Sequence, residues 1–254
     1  MKIVMANLML ACVGLIVLSL MFTGMSSAEF DIETVVGMWL FDEGKGNTAA
    51  DSSENGNGGK FENDPKWTND GKFGSALEFD GNESKGHVVV GDLGLDGEVT
   101  LVLWANPRDA ANDDRLISNI SGPTNPAFTT RYQGETVEIW SSAWKPVIPE
   151  FDDNKWGHYA FVFDGEGNVT GYYNGTEGET VADTYTFTEI GIGANFLDQW
   201  GQYFSGRFDE IAFFSVALTE DDIKVVMTKG LKSALAVYPA GKLTTTWGNI
   251  KVSP

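Results

Sequence analysis

Residues 204–223 read FSGRFDEIAFFSVALTEDDI, and this stretch passes from strand to helix. Phe204 and Phe208 alternate with small or polar residues, and so do Ile211 and Phe213, but the two sets are out of phase. A strand with one buried face repeats every two residues, so the phase change at Asp209-Glu210 predicts a bulge there. Thr219 then offers an N-cap, and Glu220, Asp221 and Asp222 fill the first turn, where negative charge offsets the helix dipole. Ile223, Val226 and Met227 recur at helical spacing, and Gly230 supplies a C-terminal stop. One short helix is expected near residues 219–229.

Around that stretch lies a chain of 254 residues, 42% hydrophobic and 12% aromatic, with 30 glycines. It is long enough to bury one substantial core. Repeated strand-like runs punctuated by glycine favour an all-β sandwich over two small domains. Net charge is −19, from 17 basic and 36 acidic residues. No basic patch stands ready to displace counterions from a phosphate backbone, which argues against a nucleic-acid partner.

The first 28 residues read as a targeting segment. Lys2 is followed by the apolar run of residues 8–22, and Ser26-Ser27-Ala28 offers small residues for cleavage. The reading is a secretory signal peptide, residues 1–28; the alternative is a retained N-terminal anchor. Cys12 is the only cysteine, so a cleaved chain is held without disulfides. The expected location is secreted or at the cell surface, with no membrane span in the mature chain.

Further strands are read at Val35–Phe41, Val99–Trp104 and Lys155–Phe163, and Asp164-Gly165 and Asn174-Gly175 mark hairpin turns. Four local patterns stand out: W-L-F-D-E-G-x-G with D-S-S-x-N-G-N-x-G at 39–59, G-x-F-G-x-A-L-x-F-D-G at 71–81, W-x-H-x-A-F-V-F-D-G at 156–165, and G-R-F-D-E at 206–210. Together with A-L-T-E-D-D-I at 217–223, they resemble laminin-G-like domains, the concanavalin A-like, pentraxin-like jelly rolls. That resemblance spans roughly residues 35–230. It implies a jelly-roll β-sandwich of two antiparallel sheets over residues 29–230, and it leaves residues 231–254 as a tail without an assigned role. It also makes His158 structural. Glu54 stands where the family usually has glycine, at a turn position expected to need positive φ.

Candidate site residues fall in two groups. Tyr132, Trp140 and Trp144 sit in the least framework-like region, residues 109–155. Aromatic rings suit the apolar faces of a pyranose. In Thr136–Trp140, Val137 and Ile139 take one face, leaving Trp140 on the other with Glu138. The second group is oxygen-rich. Asp51, Asn55 and Asn57 lie in the loop at residues 51–59, and calcium takes six to eight oxygen ligands from such groups. If the first and last strands are neighbours, as the resemblance implies, Asp209 approaches that loop, and Asp42 joins from the end of the first strand. A structural Ca²⁺ bound by Asp42, Asp51, Asn55, Asn57 and Asp209 is therefore expected.

Glycosidases share this sandwich. A retaining enzyme needs two facing carboxylates, as an E-x-D-x-E strand would present, and that pattern is absent from the chain. The expectation is thus a secreted, non-catalytic domain that binds carbohydrate or another extracellular surface ligand. A protein-binding adhesion module and a glycoside hydrolase of the same fold are the alternatives.

Overall fold

The structure, a computed structural model, describes residues 31–108, 110, 113–122, 127–195 and 202–236. The signal-peptide reading and most of the tail lie outside those residues.

Strands β1 (Val35–Trp39), β2 (Thr48–Ala49), β3 (Gly59–Glu62), β4 (Lys66–Thr68) and β5 (Ala76–Asp80) come first. They are followed by β6 (His87–Asp92), β7 (Glu98–Pro107), β8 (Arg115–Asn119), β9 (Thr129–Gln133), β10 (Thr136–Trp140) and β11 (Trp144–Ile148). The last five are β12 (Gly157–Asp164), β13 (Asn168–Tyr173), β14 (Thr176–Ala182), β15 (Glu189–Ile192) and β16 (Ser205–Phe214). Two helices, α1 (Glu220–Lys229) and α2 (Leu231–Ala236), close the described chain.

The strands form two antiparallel sheets. One runs β14-β13-β12-β7-β16-β5-β4, with β1 also paired to β16; the other runs β11-β10-β9-β8-β15-β6-β3-β2. Inward residues of both sheets make a single core that includes Trp39, Leu103, Phe161 and Phe213 from the first and Tyr132, Ile139 and Ile192 from the second. This is the sandwich expected from the alternation, with one face of each strand buried.

β16 explains the phase change in its sequence. Along residues 206–214 it pairs with β7, and the register shifts between Asp209 and Ala212. Its other edge pairs with β5 at Ser205–Phe208 and with β1 at Ile211–Phe214. The bulge therefore sits where that edge changes partner, and Glu210 takes φ +50 there. Both phases still reach the core, since Phe204, Phe208, Ile211 and Phe213 all lie in it.

Helix α1 begins as read: Thr219 and Asp222 form a capping box, and Gly230 closes the helix with φ +75. Ile223 and Val226 pack with Val102, Ala160 and Phe214 on the outer face of the first sheet. The fold does not stop at Gly230. Leu231, Ala234 and Leu235 of α2 join the same apolar cluster, so residues 231–236 belong to the domain rather than to a tail. Among the described residues, no helix is long and apolar enough to cross a membrane.

The sheets approach closely on one side. At Gly171 of β13 an added Cβ would meet the Val147 carbonyl oxygen at 2.5 Å, so only glycine lets these backbones come so near. With α1 and α2 covering the outer face of the first sheet, the site described next is found on the outer face of the second.

Candidate ligand-binding site

Four neighbouring strands build it. β9 pairs with β10 so that Thr129 lies opposite Trp140 and Arg131 opposite Glu138. β10 pairs with β11 so that Trp140 lies opposite Trp144, and β8 places Arg115 opposite Arg131. Side chains two apart on a strand share a face, which puts Thr129, Arg131, Glu138 and Trp140 together, while Thr130, Tyr132, Val137 and Ile139 turn inward.

The two indoles are half-buried, with ring centroids 5.3 Å apart at 54°. Arg131 lies over the Trp144 ring at 3.9 Å and Arg115 at 4.8 Å, so both guanidiniums meet the same indole. Arg131 is compensated by two carboxylates. Glu138 Oε2 accepts from its Nε at 2.8 Å, and Asp113 accepts from its Nη1. Arg115, its side chain only 4% exposed, stands 3.7 Å from Asp113 and donates through Nε to the Gln202 amide oxygen at 3.0 Å. Gln202 in turn accepts from Asn195 Nδ2 at 3.2 Å. Nη1 of Arg115 is buried without a hydrogen-bond partner. These groups enclose an open cavity of about 280 Å³ lined by Asp113, Arg115, Thr129, Arg131, Trp140, Trp144, Asn195 and Gln202. That is the small end of the range of ligand sites, with aromatic walls and convergent polar donors.

Trp140 and Trp144 are therefore brought together as the sequence reading expects. Tyr132 is not with them. It is fully buried, stacked among Phe151, Tyr159 and Phe204 with centroids 4.5–6.3 Å away, because period two turns it inward once Arg131 faces out. Arg131 was legible from that same alternation. Asp113, Arg115, Asn195 and Gln202 come from other strand ends, and no local pattern in the sequence marks them.

The five expected metal ligands do not form one coordination shell. Asp51 Oδ1 accepts from Met38 N (3.0 Å), Ser53 N (2.9 Å) and Ser53 Oγ (2.6 Å), and its Oδ2 accepts from Asn57 N (2.8 Å). Asn55 and Asn57 give their amide N–H groups to the Val35 and Val36 carbonyls, at 2.7 and 2.8 Å. These three residues lash their loop to β1. Asp42 and Asp209 instead hold the 73–75 turn, accepting from Ser75 N at 3.0 Å and from Phe73 N at 2.8 Å. Among the described residues, no three His, Cys, Asp or Glu side chains are grouped so as to hold a metal. N–H donors already occupy both oxygens of Asp51, Oδ1 of Asp42 and Oδ2 of Asp209, oxygens that a cation would need. Glu54 does adopt positive φ, +67, at the foot of this loop.

His158 is 1% exposed and packs edge-on against Trp104 at 5.3 Å, and burial pushes its pKa down to about 3. It sits in the first sheet, as a structural residue would.

This geometry defines a lectin-type sandwich with one open face, and the comparisons with known proteins agree. The sequence model of the concanavalin A-like lectin/glucanases superfamily, in its laminin-G form, matches residues 80–224, more than half of the chain. The chain belongs to that family. No curated protein gives a significant match. Among solved structures, domain 4 of AbnA, a GH43 extracellular arabinanase from Geobacillus stearothermophilus solved with arabinotriose, superposes with a TM-score of 0.61 at 21% identity, over 75% of this chain and 97% of that one. The binding domain of botulinum neurotoxin serotype D/C gives 0.59 at 14% identity, over 77% and 52%. Trypanosoma rangeli sialidase gives 0.60 at 15%, over 77% of this chain and 32% of the sialidase. This chain thus spans about half of the toxin domain and a third of the sialidase, and at these identities the likeness is one of fold.

Proposed function

We propose that this protein is a non-catalytic carbohydrate-binding domain that works outside the cytoplasm, holding a sugar ring on the outer face of its second sheet. The observation that carries the reading is the half-exposed Trp140–Trp144 pair at the rim of a cavity whose floor is polar. An indole beside convergent donors suits a pyranose, which offers an apolar C–H face and a ring of hydroxyls. The arabinotriose bound to the arabinanase domain lends support at the level of fold.

The non-catalytic part of the reading rests on where the acids lie. A glycosidase general acid needs a raised pKa next to the scissile bond. The carboxyls raised by burial here, Asp209 and Glu210, each to about 7, are buried in the first sheet and do not line the cavity.

Glycan-array binding followed by titration tests the proposal. Trp140→Ala is expected to weaken binding by about 1–3 kcal/mol, the scale of burying one large apolar side chain, and to leave the melting curve nearly unchanged. Binding untouched by that change would place the ligand elsewhere, and release of reducing sugar from a bound polysaccharide would make the protein an enzyme.

A further inference from the structure

The side-chain bonds of Gln202 all fall on one of its two amide atoms. Oε1 takes three donors: Asn195 Nδ2 at 3.2 Å, Arg115 Nε at 3.0 Å, and Arg115 Nη2. An amide oxygen accepts and an amide nitrogen donates, so three donors on one atom settle which way the group is turned. Nε2 keeps two N–H donors and, among the described residues, has no acceptor. Unlike Nη1 of Arg115 it is not closed off from solvent, since Gln202 is half-buried and lines the cavity.

Arg115 accounts for that orientation. Its buried charge is balanced by Asp113, 3.7 Å from Nη2, and by Asp114. The Nη2 that meets Gln202 therefore also faces Asp113. Asp113 turns Oδ1 to both arginines, and its Oδ2 has no donor among the described residues. Its side chain is 41% exposed. One buried guanidinium thus holds an open amide donor and an open carboxylate acceptor side by side, with little freedom left for either to lose on binding. What these two groups lack defines the ligand. Arg131 is already engaged by Asp113, Glu138 and the Trp144 ring, and Arg115 by Gln202, Asp113 and the same ring. The charge left open is that of Asp113 Oδ2, which repels an anion, while a cation gains nothing from Nε2 and meets two guanidiniums. A neutral group that donates at one atom and accepts at the next satisfies both. Adjacent hydroxyls of a sugar do this: one gives its proton to Oδ2, and its neighbour's oxygen takes an N–H from Nε2.

We infer that the cavity reads a vicinal diol on an uncharged sugar ring, with Gln202 Nε2 as donor, Asp113 Oδ2 as acceptor and Trp140 stacking on the ring. This rests on the carbohydrate-binding reading above and adds the ligand's class, a neutral glycan, and the residue that discriminates, Gln202. Arg115 touches no ligand and positions both recognition groups. The cavity's volume of about 280 Å³ admits about one ring, so the rest of the glycan lies along the sheet.

Calorimetry on the full chain tests it, with arabinotriose, xylotriose and cellotriose as neutral probes and trigalacturonate as the acidic one. At least one neutral probe should bind, and trigalacturonate should bind more weakly than it does. Among singly deoxygenated forms of the bound probe, loss of either of two adjacent hydroxyls should weaken binding about tenfold or more, and loss of any other should change it little. That series uses the unaltered protein and needs no variant. Gln202→Glu keeps an oxygen for Arg115 and Asn195 but puts an acceptor where Nε2 donated. It should weaken binding about tenfold or more, while the melting temperature stays at or above that of the unaltered protein, because a carboxylate accepts from a guanidinium at least as well as an amide does. Unchanged binding in Gln202→Glu, or a lowered melting temperature, would overturn the role of Gln202. Deoxy forms that all bind like the parent, with Trp140→Ala still weakening binding, would overturn the diol inference and leave the carbohydrate reading standing. Tighter binding of trigalacturonate than of every neutral probe would do the same. Failure of all four probes and of a glycan array to show binding would overturn both readings.

Discussion

At the scale of single residues, Asp51 shows how an acid can look like a metal ligand and act as a clamp. Its carboxylate gathers four donors, three from backbone N–H groups and one from the Ser53 hydroxyl. Burial pushes its pKa up, but those donors outweigh burial and hold it below the ordinary value. Asp51→Ala should therefore destabilise the fold by on the order of 3 kcal/mol, the scale of losing several hydrogen bonds to a charged acceptor. Urea denaturation in chelator and in saturating calcium should give the same loss. A loss seen only with calcium present would restore the metal reading. Composition could not separate these outcomes. An Asx-rich loop has the same residues whether its oxygens accept N–H donors or coordinate a cation, and only the placement of β1 beside it decides. Trp140 was legible for the opposite reason: its face follows from period two within five residues.

At the scale of elements, close approach and partner exchange shape the strands more than propensity does. Gly171 lies against the Val147 carbonyl, where β11 folds over β13, with Ile148 Cγ1 3.0 Å from the position of an added Cβ. Gly171→Ala must push these backbones apart. It should cost about 1–3 kcal/mol, in the range of overpacked cores, read as a lower melting temperature with the sandwich retained. An unchanged melt would show that the gap between the sheets opens freely. The sequence around Gly171, GYYNG, reads as a strand end followed by a turn, and nothing in it announces a second sheet overhead. The break at Asp209-Glu210 was legible, because the hydrophobic phase slips there within one strand. Its cause was not: β16 exchanges β5 for β1 along one edge, a long-range event invisible to local periodicity. The helix α2 was missed for a related reason. Six residues of LKSALA are too short to show a period, and their burial depends on the apolar outer face of the first sheet.

At the scale of the whole molecule, the two faces of the sandwich are unlike. The first sheet is covered by α1 and α2, and the second carries the cavity, so ligand binding and global stability rest on separate groups. The acids that matter most to stability near neutral pH are buried under the covered side. Asp209 is fully buried; its Oδ2 accepts from Phe73 N, and its Oδ1 has no partner. Neighbouring Glu210 is 4% exposed and accepts the N–H of Leu231 at the start of α2. Burial is the main cause that raises each carboxyl to about 7, from ordinary values of 3.8 and 4.5. Both groups therefore hold a proton more tightly folded than unfolded. The stability that this contributes is complete below about pH 4 and is lost as pH rises through about 7. Asp51 and Asp183 run the other way: their lowered values stabilise the fold at neutral pH and fail it in acid. The chain should then be most stable in mildly acidic solution, near pH 5, and should lose a few kcal/mol by pH 8. Asp209→Asn keeps an acceptor for Phe73 N and cannot ionise, so it should flatten the fall between pH 5 and pH 8. Thermal melts of both proteins across that interval measure it. A wild-type curve that is flat or rising from pH 5 to pH 8 would mean that Asp209 and Glu210 are ionised without cost, and that the covered face admits water.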